Sequence, residues 1–264
     1  MEHWREKERA LSQSIRYPEI LEIARREGKV TVEGLAEHFG VTLQTIRRDL
    51  SDLADAGRLE RVHGGAVLPS GTTNIGYEDR RGLNADGKAA MASACAAEIP
   101  HDCSVFLNIG TSTEAVADRL LAHRNILAVT NNLNVAATLA RNPDCEVVVT
   151  AGALRRSDGG LTGDLTERTI RQFKFDIAVI GCSAIDEEGD ILDFDMQEVG
   201  VTRTIIEQSR KVFLVADHTK FRRKAPVRVA ALSELAALFT DAPPPRAIVT
   251  RCRELGVRLD VAKG

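Results

Sequence analysis

Thr42-Leu-Gln-Thr-Ile-Arg-Arg-Asp-Leu-Ser-Asp-Leu-Ala-Asp-Ala56 opens on a hydroxyl residue suited to an N-cap and runs into Gly57, which suits a helix end. At about 100° per residue, Leu43, Ile46, Leu50 and Leu53 fall on one stripe, which predicts a helix packed along that stripe. Gln44, Thr45 and Arg48 point away from the stripe, with Arg47 on its flank. Gln and Arg can make bidentate contacts with base edges in a major groove, and Arg47 is placed to reach a phosphate. Asp52 and Asp55 share the outward face further along. Phosphates repel them, so only the first two turns are expected to enter a groove.

Working outward, Pro18–Glu27 reads as a first helix closed by Gly28, and Thr31 can cap a second, Val32–Phe39, that ends at Gly40. A helix, a glycine-containing turn and another helix make a helix-turn-helix. After Gly57, Arg58-Leu-Glu-Arg-Val-His-Gly-Gly-Ala-Val-Leu68 alternates around a Gly-Gly turn, which predicts a β-hairpin wing. Arg61 and His63 on that wing are available to the DNA backbone or minor groove. The DNA-binding set is therefore Thr42, Gln44, Thr45, Arg47, Arg48, Arg61 and His63, with double-stranded DNA as the partner. The plainer reading of an Arg-Arg pair on an amphipathic helix is a solvated face.

Charge alone does not point to nucleic acid. The 264-residue chain carries a net charge of −3, and residues 1–68 hold 11 Lys/Arg against 12 Asp/Glu. A hydrophobic fraction of 44% and no apolar run near the roughly 20 residues needed to cross a bilayer predict no membrane role. The start, MEHWREKERA, lacks the apolar core of a signal peptide. Five cysteines, none in a C-x-x-C pair, argue against a disulfide framework or zinc ribbon and suit a reducing cytoplasm, where the chain is expected to act. Residues 1–14 read as a polar extension or loose helix. The domains expected are 15–68 for the winged helix-turn-helix, 69–76 for a breaker-rich linker, and 77–264 for a larger α/β domain.

In that larger part, Val105–Ile109, Ile126–Thr130, Glu146–Thr150, Ile177–Ile180 and Val212–Ala216 are continuous apolar runs, as in strands buried on both faces of a parallel sheet. Helical patterns over Glu114–Ala122, Leu133–Arg141, Leu165–Phe173 and Gln197–Ser209 lie between most of them, which predicts an open α/β domain. Ligands of such sheets sit beyond the carboxyl ends of the strands. Here those ends carry Gly110-Thr111-Ser112-Thr113, Thr130-Asn131-Asn132, Thr150-Ala-Gly152, Gly181-Cys-Ser183 and Asp217-His-Thr-Lys220. Helix-start amides and hydroxyls at 110–113 make an anion site, with Lys220 as balancing charge; plain N-capping is the alternative for each taken singly.

Asp193, Asp195 and Glu198 form an acidic cluster, read as recognition of ligand hydroxyls for Glu198, with a weak Mg²⁺ site or helix-start charge as alternatives. Arg222-Arg-Lys224 either extends the positive field near Lys220 or is solvated. His218 reads as a packed or exposed loop histidine, and the cysteines as small core residues. The ligand set is Gly110, Thr111, Ser112, Thr113, Thr130, Asn131, Asn132, Gly152, Glu198 and Lys220. No catalytic residue, metal or cofactor is expected, because no placed acid–base pair can be assembled.

Thr45-Ile-Arg-Arg-Asp-Leu50, followed by Arg61-Val-His-Gly-Gly-Ala66, resembles the N-terminal signature of DeoR-type repressors. From about Tyr77 to Asp241 the chain resembles the sensor of the same family, which is similar in fold to ribose-5-phosphate isomerase. The resemblance implies an α/β protein with an N-terminal winged helix-turn-helix and a C-terminal open α/β domain, acting as a repressor released by a small phosphorylated inducer. Val129–Ala136, Arg155–Gly160 and Thr240–Pro245 carry a closer likeness to members that answer to glycerol 3-phosphate, which it implies as the favoured inducer. A homodimer or homotetramer is implied as well, since two-fold operators match two-fold proteins. Three positions depart from the family pattern: Ala151 before Gly152, Thr202 before Arg203, and Cys182-Ser-Ala-Ile after Gly181. The competing readings are a sugar-phosphate isomerase or deaminase with a vestigial helical domain, and a ligand-responsive activator.

Overall fold

The computed structural model describes residues 16–24, 27, 29–68 and 76–262. The expected extension at 1–14, Gly28 as a helix end and residues 69–75 of the linker lie outside the described residues. Two compact units emerge. One takes the described residues up to 68 together with Glu78–Leu83, and the other takes Tyr77 and everything from Asn84 onward.

The first unit begins with helix α1 (16–24), strand β1 (Lys29–Thr31), helix α2 (Val32–Phe39) and helix α3 (Leu43–Asp55). Strands β2 (Glu60–Val62) and β3 (Gly65–Val67) follow, and the short helix α4 (Tyr77–Gly82) leads toward the second unit. The caps fall where hydroxyls and glycine were expected. Thr31 Oγ1 accepts from the Gly34 amide at 3.1 Å, Thr42 Oγ1 from the Thr45 amide at 3.2 Å, and Gly40 ends α2 in the left-handed region at φ 61°. β2 and β3 form the expected hairpin, and β1 adds to it as an unforeseen third strand in the order β1-β3-β2. Gly64 turns the hairpin at φ 74°, while a Cβ on Gly65 would come within 1.9 Å of the Val30 carbonyl oxygen. The Gly-Gly pair thus supplies first a turn, then a close approach to β1.

Ile46, Leu50 and Leu53 are buried against α1, α2 and the sheet, but Leu43 is 41% exposed. Leu43 opens the helix about 60° from the centre of the stripe, outside the buried cluster. Asp49, equally far round on the other side, is buried instead.

The second unit continues with α5 (Ala85–Ala97), β4 (Ser104–Leu107), α6 (Thr111–Arg119), β5 (Ile126–Thr130), α7 (Leu133–Leu139) and β6 (Cys145–Val149). Next come β7 (Ala153–Arg155), β8 (Gly160–Thr162), α8 (Asp164–Ile170), β9 (Phe175–Ile180), β10 (Ala184–Ile185), β11 (Asp190–Asp193) and α9 (Met196–Glu207). It closes with β12 (Ser209–Val215), β13 (Val227–Ala231), β14 (Ala237–Thr240), α10 (Arg246–Leu255) and β15 (Arg258–Val261). Seven strands form one parallel sheet in the order β15-β14-β12-β9-β4-β5-β6.

The pleat sorts alternate residues to two cores. Val105, Leu107, Val179 and Phe213 face α5, α6 and α7, whereas Phe106, Ala178, Ile180 and Leu214 face α8, α9 and α10. Both faces of the sheet are therefore covered, which is why its central strands read as unbroken apolar runs. β6 departs from that reading. It is the sheet's edge, paired only with β5, and Val149 is 40% exposed. Among the described residues no helix is long and apolar enough to cross a membrane.

Candidate DNA interface and effector site

On α3 the structure leaves Gln44, Arg47 and Arg48 exposed, as the helical phase predicted. Thr42 and Thr45 are partly committed to capping, their hydroxyl oxygens lying 2.9 Å apart. Arg61 is not held out from the wing. Its Nη1 donates to the Arg47 carbonyl at 2.9 Å and to Ser51 Oγ at 3.3 Å, so it staples β2 to α3. Burial lowers its pKa, and the nearby Arg47 charge adds to that effect. His63 lies exposed in the hairpin turn.

Asp49 escaped the sequence reading. It is 1% exposed and takes a two-pronged bond from Arg16, Nε to Oδ2 at 2.7 Å and Nη2 to Oδ1 at 3.0 Å. Asp52 accepts from the Tyr17 hydroxyl at 2.8 Å, and burial followed by that bond raises the phenol's pKa. These bonds tie α1 to the face of α3 that the periodicity had marked as polar. The sequence held no signal for them, because partners 33 and 35 residues apart meet only in the fold.

In the second unit, β4, β5 and β6 progress one way and β9, β12, β14 and β15 the other. The sheet's topological switch thus lies between β4 and β9. The segments leaving the carboxyl ends of these strands are those singled out in the sequence.

Gly110 (φ 141°) leads into α6, whose first amides have no partner within the helix. The Thr113 hydroxyl is buried and donates to the Asn108 and Gly110 carbonyls, both at 2.7 Å, so it braces the loop. Thr130 Oγ1 donates to the Leu107 carbonyl at 2.7 Å, and Asn132 caps α7 while donating to Glu114. Asn131 Nδ2 donates to the Leu161 carbonyl. Gly152 has a packing reason, since a Cβ there would lie 2.1 Å from Thr166 Oγ1.

Three buried side-chain atoms at these strand ends have no hydrogen-bond partner among the described residues: Asn131 Oδ1, Thr150 Oγ1 and Asp217 Oδ2. Buried acceptors left this way are rare in native proteins and are a mark of a missing partner. Lys220 and Lys88 are only 7% and 4% exposed, and both act on Asp217. Burial opposes ionisation of Asp217, but Lys220, the Thr219 donors and Lys88 outweigh it and hold its carboxyl below the usual range. Cys182 lies in the same field. Burial pushes its thiol up to about 12, and Lys220 and Arg223 pull against that. Of the Arg222–Lys224 run, Arg223 is buried and its neighbours are exposed.

Glu198 stands in an ionic cluster the sequence did not reveal. Arg155 Nη2 lies 2.7 Å from Glu198 Oε2 and 2.6 Å from Asp158 Oδ2, and its Nη1 reaches Asp195 Oδ2 at 2.9 Å. Burial disfavours the guanidinium charge, yet Asp158 and Glu198 outweigh it and raise the pKa. The β7–β8 hairpin is clamped in this way onto the start of α9. Asp193 accepts from Ser183 Oγ at 2.9 Å. Thr202 bridges Asn108 to the Glu198 carbonyl, while Arg203 bonds the Val229 and Arg228 carbonyls beside a cleft of about 280 Å³.

His218, read as a loop histidine, has a partner that the sequence did not show. Its Nδ1 lies 2.7 Å from Asp241 Oδ2, and its amide donates to Asp241 Oδ1 at 2.6 Å. Among the described residues no group of three His, Cys, Asp or Glu is placed to hold a metal ion, and the five cysteines are free.

A DeoR-like helix-turn-helix domain matches residues 16–72, and the DeoR C-terminal sensor domain matches residues 83–242. The chain belongs to the DeoR family. It is a transcriptional regulator with a DNA-binding and a sensor domain, which decides against the isomerase reading. This DeoR-family regulator is 43% identical to the glycerol-3-phosphate regulon repressor of Escherichia coli strain K12, over 95% of its own length and 100% of that protein. It is 42% identical to the glycerol-3-phosphate regulon repressor of Haemophilus influenzae, over 96% and 99%. Among solved structures, ribose 5-phosphate isomerase A of Methanocaldococcus jannaschii covers 52% of this regulator and 55% of its own chain, at 10% identity and a TM-score of 0.40.

Proposed function

We propose that this regulator represses transcription by binding operator DNA through α3 and the wing. On this reading, a small phosphorylated polyol or sugar at the strand ends releases it. The observation that carries the effector half is the set of three unpartnered buried acceptors, Asn131 Oδ1, Thr150 Oγ1 and Asp217 Oδ2, beside the open start of α6. Acceptors suit ligand hydroxyls, while the α6 amides and Lys220 suit a phosphate. Thr111 and Ser112 belong to that phosphate cradle. Thr113, Thr130, Asn132 and Gly152 shape it from behind, and Glu198 acts by positioning Arg155.

On the DNA side, Gln44 and Arg48 read bases and Arg47 and His63 meet the backbone. Thr42 and Thr45 set the helix start, and Arg61 holds the wing. Glycerol 3-phosphate is the favoured effector, on the strength of the names of relatives 42–43% identical over nearly the whole chain. The regulator acts in the cytoplasm as a homodimer or homotetramer, because paired half-sites need paired helices.

The test is fluorescence anisotropy on DNA from upstream of its own gene and of glycerol-utilisation genes, at fixed salt. Glycerol 3-phosphate is titrated against fructose and ribose phosphates. Specific binding released by glycerol 3-phosphate alone is the expected result. Release by another phosphate changes the effector, and binding strengthened by the phosphate overturns repression.

A further inference from the structure

The chain passes from the sensor to the DNA-binding unit at α4, and its first residue, Tyr77, is held by hydrogen bonds inside the sensor. The Tyr77 hydroxyl donates to Glu114 Oε2 at 2.8 Å and accepts from Asn134 Nδ2 at 2.9 Å. The other Glu114 oxygen, Oε1, accepts from Asn132 Nδ2 and Asn134 Nδ2, both at 3.0 Å. Glu114 also belongs to the first turn of α6, its amide donating to the Gly110 carbonyl at 3.0 Å. One carboxylate therefore joins the anion-binding turn, the loop after β5 and the residue at which the chain leaves the sensor. The six residues that follow, Glu78–Leu83, already count with the DNA-binding unit.

We propose that Tyr77 and Glu114 form a latch that carries effector binding to the DNA-binding unit, with Tyr77 as a positioning residue that touches neither ligand nor DNA. The inference rests on an anionic effector seated at the start of α6. A phosphate held by the amides of Thr111–Thr113 brings negative charge within one helical turn of the Glu114 carboxylate. Like charges repel, so effector binding favours the arrangement in which Glu114 has left Tyr77 and α4 has lost its anchor. A ligand shifts such an equilibrium only through its different affinity for the two states, and here the difference is the charge repulsion.

The experiment measures operator affinity by anisotropy, with and without glycerol 3-phosphate, fructose phosphate and ribose phosphate, alongside direct calorimetry of effector binding. It uses the full chain in wild-type, Tyr77→Phe, Glu114→Gln and doubly substituted forms, each checked by thermal melting. For the wild type, the ratio of operator affinities without and with effector should fall on the order of 5–150. In Y77F that ratio collapses toward 1 while the effector binds at least as tightly as to the wild type, because the latched state that opposes it is gone. The double variant responds no less than either single one, because both substitutions open the same latch. A wild-type ratio in Y77F overturns the latch, and so does additive loss in the double variant. Loss of effector binding in Y77F overturns it too, by moving the hydroxyl into the pocket. A wild type released by none of the phosphates overturns the effector reading itself, and that failure shows before any variant is compared.

Discussion

The exposed face of α3 and the strand ends of the sensor both carry polar side chains, yet they handle them in opposite ways. On α3, Gln44, Arg47 and Arg48 stand in solvent and spend nothing on one another. At the strand ends, Thr113, Thr130, Asn131 and Asn132 are fully buried, and most of their hydrogen-bonding capacity is consumed by neighbouring loops. The partners explain the contrast. DNA is a large, charged, hydrated surface that meets a convex helix, whereas a small phosphate ester must be enclosed by a rigid shell whose few open valences face inward. On the proposed reading, a polar residue in the first unit serves when it is exposed, and one in the second serves mainly when its backing is complete.

The largest effect expected lies where the first unit breaks its own rule. Asp49→Ala strips the buried partner from Arg16 and should destabilise the DNA-binding unit by about 3–5 kcal/mol. A thermal melt that moves by less than a degree would show that the pair is solvated in solution. At the strand ends, Lys220→Ala should weaken effector binding by about 1.5–3 kcal/mol and leave a protein that stays on DNA; calorimetry and anisotropy read the two separately. Unchanged effector affinity would remove Lys220 from the site.

Arg48→Ala should reduce operator affinity by about 1–3 kcal/mol with effector binding intact. Arg61→Ala sharpens the comparison further. It should weaken binding without changing the slope of log affinity against log salt, which removal of a phosphate contact would lower by about 1.

Asp217 gives the sensor a pH signature. Its folded-state pKa is depressed, so its stabilising contribution is complete above the unfolded value of about 3.9 and is lost as pH falls through the lower folded value. Sensor stability should thus decline below about pH 4, and Asp217→Asn should flatten part of that decline in melts taken between about pH 5 and 2.5. The smallest effect is Leu43→Ala, within about 0.5 kcal/mol because the side chain is exposed, against about 2–5 kcal/mol for Ile46→Ala.

Much of the chain was legible in advance for identifiable reasons. Caps at Thr31 and Thr42 and the turn at Gly64 depend on residues within four positions of their targets. The central strands announced themselves because burial on both faces keeps their middles apolar, as at Val105–Leu107, Ile177–Ile180 and Val212–Val215. What stayed hidden was either short, uniform or distant. β1 has three residues and exists only through its pairing with β3. α5 is so rich in alanine that no stripe stands out, and β6 looked central because an edge strand's composition does not record that one neighbour is missing.

The site divides along the same line. From the sequence alone came the positions with chemistry to offer: the outward residues of α3, the small polar tails of the strands and Lys220. Only the tertiary structure decided which of them are at liberty to use it. Arg61 was turned from a wing contact into a staple, Glu198, read as a contact for ligand hydroxyls, was given Arg155 as its partner, and His218, read as a loop histidine, was given Asp241. Helix and strand phases follow from local backbone geometry, which neighbouring residues encode. The satisfaction of a buried donor or acceptor depends on groups tens of residues away, and it takes the folded chain to bring them within 3 Å.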